Sequence, residues 1–284
     1  MMKEAVRLEH VSKSYTDFLL DDISFSVPGG CIMGLIGENG AGKTTILKSI
    51  LQLIHLDQGK IYLFGEEYDG SRRERLNQIG VVMDRCYFEP ELTASEINKV
   101  LSKVYANWQT DEFFSYLDRF SINPALKIKE YSKGMSVKIS LAAALSHQSR
   151  LLILDEPASG LDPAAREELL DLFWDFIQEE DRSILLSSHI VTDLEKVCDY
   201  ITYINNGKLL FSEDKDILLQ SYGIVKCSRK ELSVLEPEAV IATRIHSFGA
   251  EALVKRNHIP DGMLYENAGI EQIMIFQNER RNLS

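Results

Sequence analysis

Apolar residues are spaced along this chain in two rhythms, and the changes between them outline the elements. Val6 to Leu8 and the alternating Ile23-Ser-Phe-Ser-Val27, closed by Pro28-Gly29-Gly30, predict short strands. Unbroken apolar runs follow at Ile32-Met-Gly-Leu-Ile36, Ile79-Gly-Val-Val-Met83 and Leu151-Leu-Ile-Leu154, and Leu151 to Leu154 is the kind of run expected in a parallel sheet covered on both faces. Lys60 to Phe64 and Ser183 to Ser187 read as further strands, and Ile46 to Ile54 as a helix. From Ser95 to about Leu145 the period becomes helical, with Phe113, Phe114, Leu117 and Phe120 on one face and Asn123-Pro124 breaking the run. Asp162-Pro163 supplies a cap and a first-turn proline for a helix over Ala164 to Glu179, and another helix is expected around Asp193 to Cys198. Tyr200 to Ile204 and Lys208 to Phe211, joined by Asn205-Asn206-Gly207, form a hairpin signal. Beyond Gly223, strands are expected at Ile224 to Cys227, Ala239 to Ala242 and Ile273 to Phe276, with helices between.

The pattern predicts an α/β fold: a core with an antiparallel β portion, a helical insertion at about 86–148, and a small α+β appendage. The expected boundaries are 1–222 and 223–284. A chain of 284 residues can bury such a core. The net charge of −12 argues against a surface built broadly for nucleic acid or anionic lipid, and no nucleic-acid partner is expected. Two local basic patches, Arg72 with Arg73 and Arg75, and Lys127 with Lys129, Lys133 and Lys138, read as solvated faces. Cys31, Cys86, Cys198 and Cys227 lie far apart with no Cys-x-x-Cys pair, so neither a zinc site nor a disulfide framework is implied, and a reducing cytoplasm fits. The start of the chain lacks a signal-peptide core, and no apolar run approaches the roughly 18–20 residues that span a bilayer. Any membrane work therefore calls for another polypeptide.

The candidate chemistry sits at the ends of the apolar runs. After Ile36 comes Gly37-Glu38-Asn39-Gly40-Ala41-Gly42-Lys43-Thr44-Thr45, a Gly-x-x-x-x-Gly-Lys-Thr loop between a strand and a helix. Its glycines let successive N–H groups point at one phosphate cluster, Lys43 reaches the outer phosphates and Thr44 offers a hydroxyl to magnesium. After Leu154 come Asp155 and Glu156, the first suited to hold magnesium and the second to polarise a water for in-line attack. Tyr15 offers either a ring face for a base or cover for a sheet edge.

Taken in order, Tyr15, Gly37 to Thr45, Tyr131-Ser-Lys-Gly-Met135, Leu151 to Pro157, Ser159-Gly-Leu-Asp162 and Ser187-Ser-His189 resemble the ATP-binding subunits of ATP-binding-cassette (ABC) transporters. The resemblance implies a P-loop ATPase with Mg2+ and ATP as cofactors. Tyr15 would stack on adenine, and Gly37, Glu38, Asn39, Gly40, Ala41, Gly42, Lys43, Thr44 and Thr45 would hold the phosphates. Thr44 and Asp155 would hold magnesium, Glu156 would act as general base, His189 as the γ-phosphate switch and Asp162 as a link between two sites. Ser132 and Gly134 would cap the γ-phosphate bound by a second subunit, in a homodimer or with a related chain.

Two positions depart from the family pattern. Lys133 and Met135 replace a glycine and an amide in the signature, and Lys133 is expected to project into solvent rather than towards the partner's nucleotide. Asp84 stands where the family places a glutamine touching magnesium and the attacking water; it either keeps that sensing role or pairs with Arg85. Cys86 to Glu96, with Phe88, Pro90 and Leu92, is either a docking surface for a membrane partner or an ordinary packed loop. A single cassette with these departures and a C-terminal extension resembles bacterial ABC-2-type exporter ATPases, including those for antibiotic resistance and for amphipathic peptides such as phenol-soluble modulins. That implies a cytoplasmic subunit, peripheral on the inner membrane face through its permease. The rival readings are a soluble cassette ATPase acting on nucleic acid or ribosomes, and a regulatory subunit that binds ATP with little hydrolysis.

Overall fold

The computed structural model describes residues 4–70, 73–179 and 181–282; Arg72, from the first basic patch, lies outside them. The chain opens with strands β1 (Glu4–Ser14), β2 (Leu19–Pro28) and β3 (Ile32–Ile36), helix α1 (Lys43–Ile50), then β4 (Gln58–Leu63) and β5 (Glu66–Glu67). β1, β2, β4 and β5 form an antiparallel sheet in the order β2-β1-β4-β5. β1 is longer than Val6 to Leu8 because its polar residues are held by backbone pairing: Lys13 and Ser14 lie opposite Leu20 and Leu19, and Ser12 opposite Gln58.

β6 (Ile79–Val82) leads to helices α2 (Ala94–Val104), α3 (Thr110–Arg119) and α4 (Lys133–Leu145), then to β7 (Leu151–Asp155), α5 (Pro163–Ile177), β8 (Ser183–Ser188), α6 (Val191–Val197), β9 (Tyr200–Asn205) and β10 (Lys208–Asp214). The central sheet runs β10-β9-β3-β8-β7-β6, parallel except for the β9–β10 hairpin. Its unbroken apolar runs are divided between two cores by the period-two alternation of a strand. Met33, Leu35, Leu151, Ile153 and Leu185 face α1 and the antiparallel sheet. Ile32, Ile36, Leu152, Leu154, Ile184 and Leu186 face the helices of the other layer. Burial on both faces is what makes these strands apolar throughout.

The remaining elements are α7 (Lys215–Ser221), β11 (Tyr222–Cys227), α8 (Arg229–Leu232), β12 (Val240–His246), β13 (Gly249–Lys255), β14 (Tyr265–Asn267) and α9 (Ile270–Asn282). The strands form an antiparallel sheet in the order β12-β13-β11-β14. Ile273 to Phe276, expected as a strand, lies inside α9: Ile270, Ile273 and Phe276 are buried at a spacing of three, the face of a helix. A four-residue apolar run fits either period, and tertiary packing decided it. This face belongs to the same continuous core as Leu194, Val197, Ile201 and Tyr203, so one face of the C-terminal sheet shares its interior with the central one, while Val225, Leu235, Ala239, Ala252 and Val254 form a separate cluster. α7 runs directly into β11 without an intervening linker. Among the described residues no helix is long and apolar enough to cross a membrane.

Two consequences can be measured. Phe276 is 2 % exposed, so Phe276→Ala should cost about 3–5 kcal/mol. Because the core is continuous, denaturant unfolding followed by near-UV and far-UV dichroism should remain a single coincident transition; a separate early transition of the C-terminal sheet would contradict this. His147 is 2 % exposed, stacks on Tyr105 at 4.1 Å between centroids, and its Nδ1 lies 3.1 Å from the Asn77 carbonyl. Burial lowers its pKa from the ordinary 6.5, so below that pH the unfolded chain binds a proton that the folded one refuses. The neutral-imidazole contribution to stability is therefore full above pH 6.5 and falls as the solution is acidified from there towards the lowered folded value. His147→Gln should flatten that part of the stability–pH curve measured by urea titration.

Candidate functional site

The site forms where the parallel strands end, at the edge where helix N-termini and polar strand tips meet. β3 delivers the chain to Gly37, and a Cβ there would sit 2.4 Å from the Ile204 carbonyl oxygen. Gly42 caps α1 with φ +113°, and a Cβ would meet the Phe18 ring at 2.9 Å. One glycine is required for space, the other for both space and backbone conformation. Lys43, 5 % exposed, turns back over the loop: its Nζ donates to the carbonyls of Gly37 at 2.7 Å and Glu38 at 3.2 Å.

Asp155 ends β7 with no exposed surface. Its Oδ2 accepts from Thr44 Oγ1 at 2.7 Å and its Oδ1 from Ser187 Oγ at 2.6 Å, since Asp155 and Ser187 are register partners on β7 and β8. Glu156 follows with φ +51°, a conformation that non-glycine residues rarely adopt and that costs on the order of 1–3 kcal/mol. Two contacts from its own N–H hold it there, to Ser187 O at 3.2 Å and to Ser187 Oγ at 3.0 Å. Its carboxylate is pinned between cationic and imidazole nitrogens, Oε1 at 3.2 Å from Lys43 Nζ and Oε2 at 2.6 Å from His189 Nδ1. Oε1 is buried and not aligned for a hydrogen bond with Lys43, so an incoming donor can still engage it.

Gly42, Lys43, Thr44, Asp155 and Glu156 line an open cleft of about 610 Å³ with Asp17, Phe18, Glu38, Asn39, Gly40, Thr45 and Asp84. Five carboxylates, on Asp17, Glu38, Asp84, Asp155 and Glu156, face the single ammonium of Lys43. A bare polyphosphate would be repelled by such a lining, so the donor set fits an anion accompanied by a divalent cation. No cluster of three or more His, Cys, Asp or Glu poised for a metal occurs among the described residues. Thr44 and Asp155 instead present one hydroxyl and one carboxylate, hard oxygen donors of the kind a divalent cation takes when phosphate and water supply the rest of its shell.

Of the other predicted residues Asp84 lines the cleft, whereas Tyr15, Gly37, Ala41, Ser132, Gly134, Asp162 and His189 are not among its lining residues. Tyr15 is 46 % exposed, its ring centroid 6.4 Å from that of Phe18, and Phe18 is the aromatic residue in the cleft wall. Ser132 caps α4 by accepting from the Met135 N–H at 3.2 Å, with Gly134 in the first turn. Asp162 caps α5, and the Ala165 N–H on its carboxylate lowers its pKa. Lys133 is exposed, with its stem over Gly160 and its Nζ donating to Ser159 Oγ at 3.3 Å. Asp84 is exposed at the rim, while Arg85 leaves it to lie over the Tyr87 ring at 4.8 Å. Sequence reasoning missed Phe18 and Asp17, and the part Ser187 plays as the tie between Asp155 and Glu156. Only the position of Ser187 at the end of an apolar strand hinted at that.

Comparison with known proteins gives one answer. A family model described as ABC transporter matches residues 20–159. The chain is 32 % identical over 212 residues to the bacitracin transport ATP-binding protein BcrA of Bacillus licheniformis, spanning 74 % of this chain and 69 % of that protein. It is 31 % identical over 214 residues to the lantibiotic transport ATP-binding protein SrtF of Streptococcus pyogenes, covering 74 % and 91 %. Its fold matches a solved ATP-binding subunit of an ABC transporter with TM-score 0.69 and 28 % identity over 75 % of this chain and 90 % of the other. It also matches the fold of an ATP-binding cassette in a dimeric, post-hydrolysis state with ADP and Pi, at TM-score 0.66, 21 % identity and coverage of 74 % and 98 %. With the phosphate loop, the buried aspartate and the pinned glutamate converging on one cleft, the chain belongs to the ATP-binding subunits of ABC transporters, a family of ATPases.

Proposed function

We propose that this ATPase drives export of an amphipathic peptide or antibiotic through a separate ABC-2-type membrane permease. The observation that carries the catalytic reading is the Glu156 carboxylate, held 2.6 Å from His189 and 3.2 Å from Lys43 on a strained backbone at the mouth of the cleft. The loop from Gly37 to Thr45 cradles the phosphates of ATP, and Lys43 exchanges its carbonyl partners for phosphate oxygens. Thr44 and Asp155 would hold Mg2+, which would supply charge neutralisation when bound. Glu156 orients a water against the γ-phosphorus and draws its proton, the bond to the β-phosphate oxygen breaks, and His189 stays in contact with the γ-phosphate side. Phe18 borders the cleft where the base would lie, with Tyr15 beside it, and Asp84 would stand on the metal side.

Ser132, Gly134 and Asp162 sit at exposed helix starts away from this cleft. Two copies, or this chain and a related one, closing face to face would bring these helix N-termini to the γ-phosphate of the opposite subunit. Beyond Asp84 a pocket of about 260 Å³ is lined by Val81, Met83, Tyr87, Phe88, Leu101 and Tyr105. It suits a short helix of the permease and so supports a position on the inner membrane face. The relatives for bacitracin and lantibiotic transport favour an amphipathic peptide cargo. The pinned carboxylate favours hydrolysis over a purely regulatory role.

Glu156→Gln should lower ATP turnover by about 10²–10⁴-fold, the range for loss of a general base, while Mg-ATP binding persists and holds a dimer visible by light scattering. Unchanged turnover would refute the assignment. Gly37→Ala drives a methyl group against the Ile204 carbonyl; nucleotide affinity measured by calorimetry should collapse, although the fold survives. For the transport reading, the chain expressed in bacterial cells should copurify with a polytopic membrane protein, and Phe88→Glu should break that association while the isolated ATPase keeps its turnover.

A further inference from the structure

The C-terminal helix reaches the phosphate loop through the central sheet. Asn278 Oδ1 on α9 accepts two hydrogen bonds, from Tyr203 Oη at 2.5 Å and from Asn205 Nδ2 at 2.6 Å. Both donors belong to β9, the strand lying beside β3, where Tyr203 is the register partner of Ile36, the last residue before the loop. Past Asn205 the β9–β10 turn closes on the loop itself: the Gly207 N–H donates to the Ala41 carbonyl at 2.9 Å, and the Gly207 carbonyl accepts from the Asp21 N–H at 2.8 Å.

This contact is tight enough to transmit position. A Cβ on Gly37 would stand 2.4 Å from Ile204 O, and one on Gly207 would stand 1.8 Å from Leu19 O. The end of β9 therefore cannot shift without moving Gly37 or Ala41, because close-packed backbone has no slack to absorb the change. At the other end α9 is fixed: Ile270, Ile273 and Phe276 are buried in the core shared with Tyr203, and the Ile270 N–H donates to Glu195 Oε1 at 3.1 Å on α6.

We infer that Asn278 is a positioning residue for the phosphate loop, through which the segment 223–284 sets the affinity of the site for ATP. The inference rests on the reading of Gly37 to Thr45 as the nucleotide cradle. A carboxamide oxygen receiving one donor from a fully buried tyrosine and another from the turn-proximal asparagine holds the strand end in one place. An aliphatic side chain of similar size fills the same volume without that hold.

The test uses the full-length chain, with Mg-ATP affinity by calorimetry, steady-state turnover, and melting of the nucleotide-free protein. Asn278→Leu, which removes both hydrogen bonds, should raise Kd and KM for ATP about fivefold, the equivalent of roughly 1 kcal/mol, with kcat little changed. Asn278→Asp, which keeps the acceptor, should restore affinity to near that of the parent. Asn205→Ala attacks the same link from the strand side, and combining it with Asn278→Leu should add little, as expected for one shared interaction. If Asn278→Leu fails to fold, Asn205→Ala with Asn278→Asp decides the matter. Parent-like affinity in the Leu and Asn205→Ala variants would overturn the inference, as would an Asp variant that binds ATP as weakly as the Leu variant. A parent chain that binds no nucleotide, like a Lys43→Ala control, would instead overturn the reading of the cradle itself.

Discussion

Everything at the site depends on a carboxylate with no exposed surface. Burying an unpaired charge costs several kcal/mol, so Asp155 holds its place at the tip of β7 only because Thr44 and Ser187 both donate to it. Those two hydroxyls come from different directions, one from the first turn of α1 and the other from the neighbouring strand β8. The aspartate thus ties the phosphate loop to the sheet. The next residue is displaced into a left-handed backbone conformation by the same serine, whose carbonyl and hydroxyl both receive the Glu156 N–H. One buried acid and one serine thereby fix where the second acid points.

The charge balance explains the structure's apparent self-sufficiency around Lys43. With five carboxylates in the cleft wall and one ammonium, the lysine is drawn to Glu156 and to two loop carbonyls. A nucleotide accompanied by a divalent cation supplies partners for both sides of this imbalance, an anion for the lysine and a cation for the acids. Binding can then exchange internal contacts for external ones rather than create a charge from nothing.

The sequence revealed what burial and backbone geometry constrain most. Strands covered on both faces have no room for polar residues, so Leu151 to Leu154 and Ile32 to Ile36 were legible as runs. The phosphate loop was legible because Gly37 and Gly42 admit no side chain. Lengths were less so: β1 extends to Ser14 through backbone pairing that tolerates polar side chains. Ile273 to Phe276 read as a strand because four apolar residues carry no period, and only the packing of α9 against α6 and β12 makes them helical. β14, with Tyr265 to Asn267 all exposed, left no pattern to find. At the site, the residue types capable of chemistry stood out, while the positions of Phe18, Ser187 and Lys133 did not. Their roles come from contacts across the fold rather than from neighbours along the chain.

The arrangement of layers also bears on how one site could serve a larger machine. The central sheet separates the core behind α1 from the core shared by the helical layer and the C-terminal segment. Each parallel strand contributes alternate residues to both, so neither core can repack without disturbing strand positions, and the strand tips are where the site is built. β6 carries Asp84 to the cleft and continues into the apolar pocket at Tyr87 and Phe88, while β9 carries the loop-facing turn and is held from behind by α9. A motion of about an ångström at one strand end is hard to absorb in interiors packed as densely as organic crystals. Rigid strands whose ends meet the cleft together with the apolar pocket or the bracing helix are therefore suited to pass small displacements between those places.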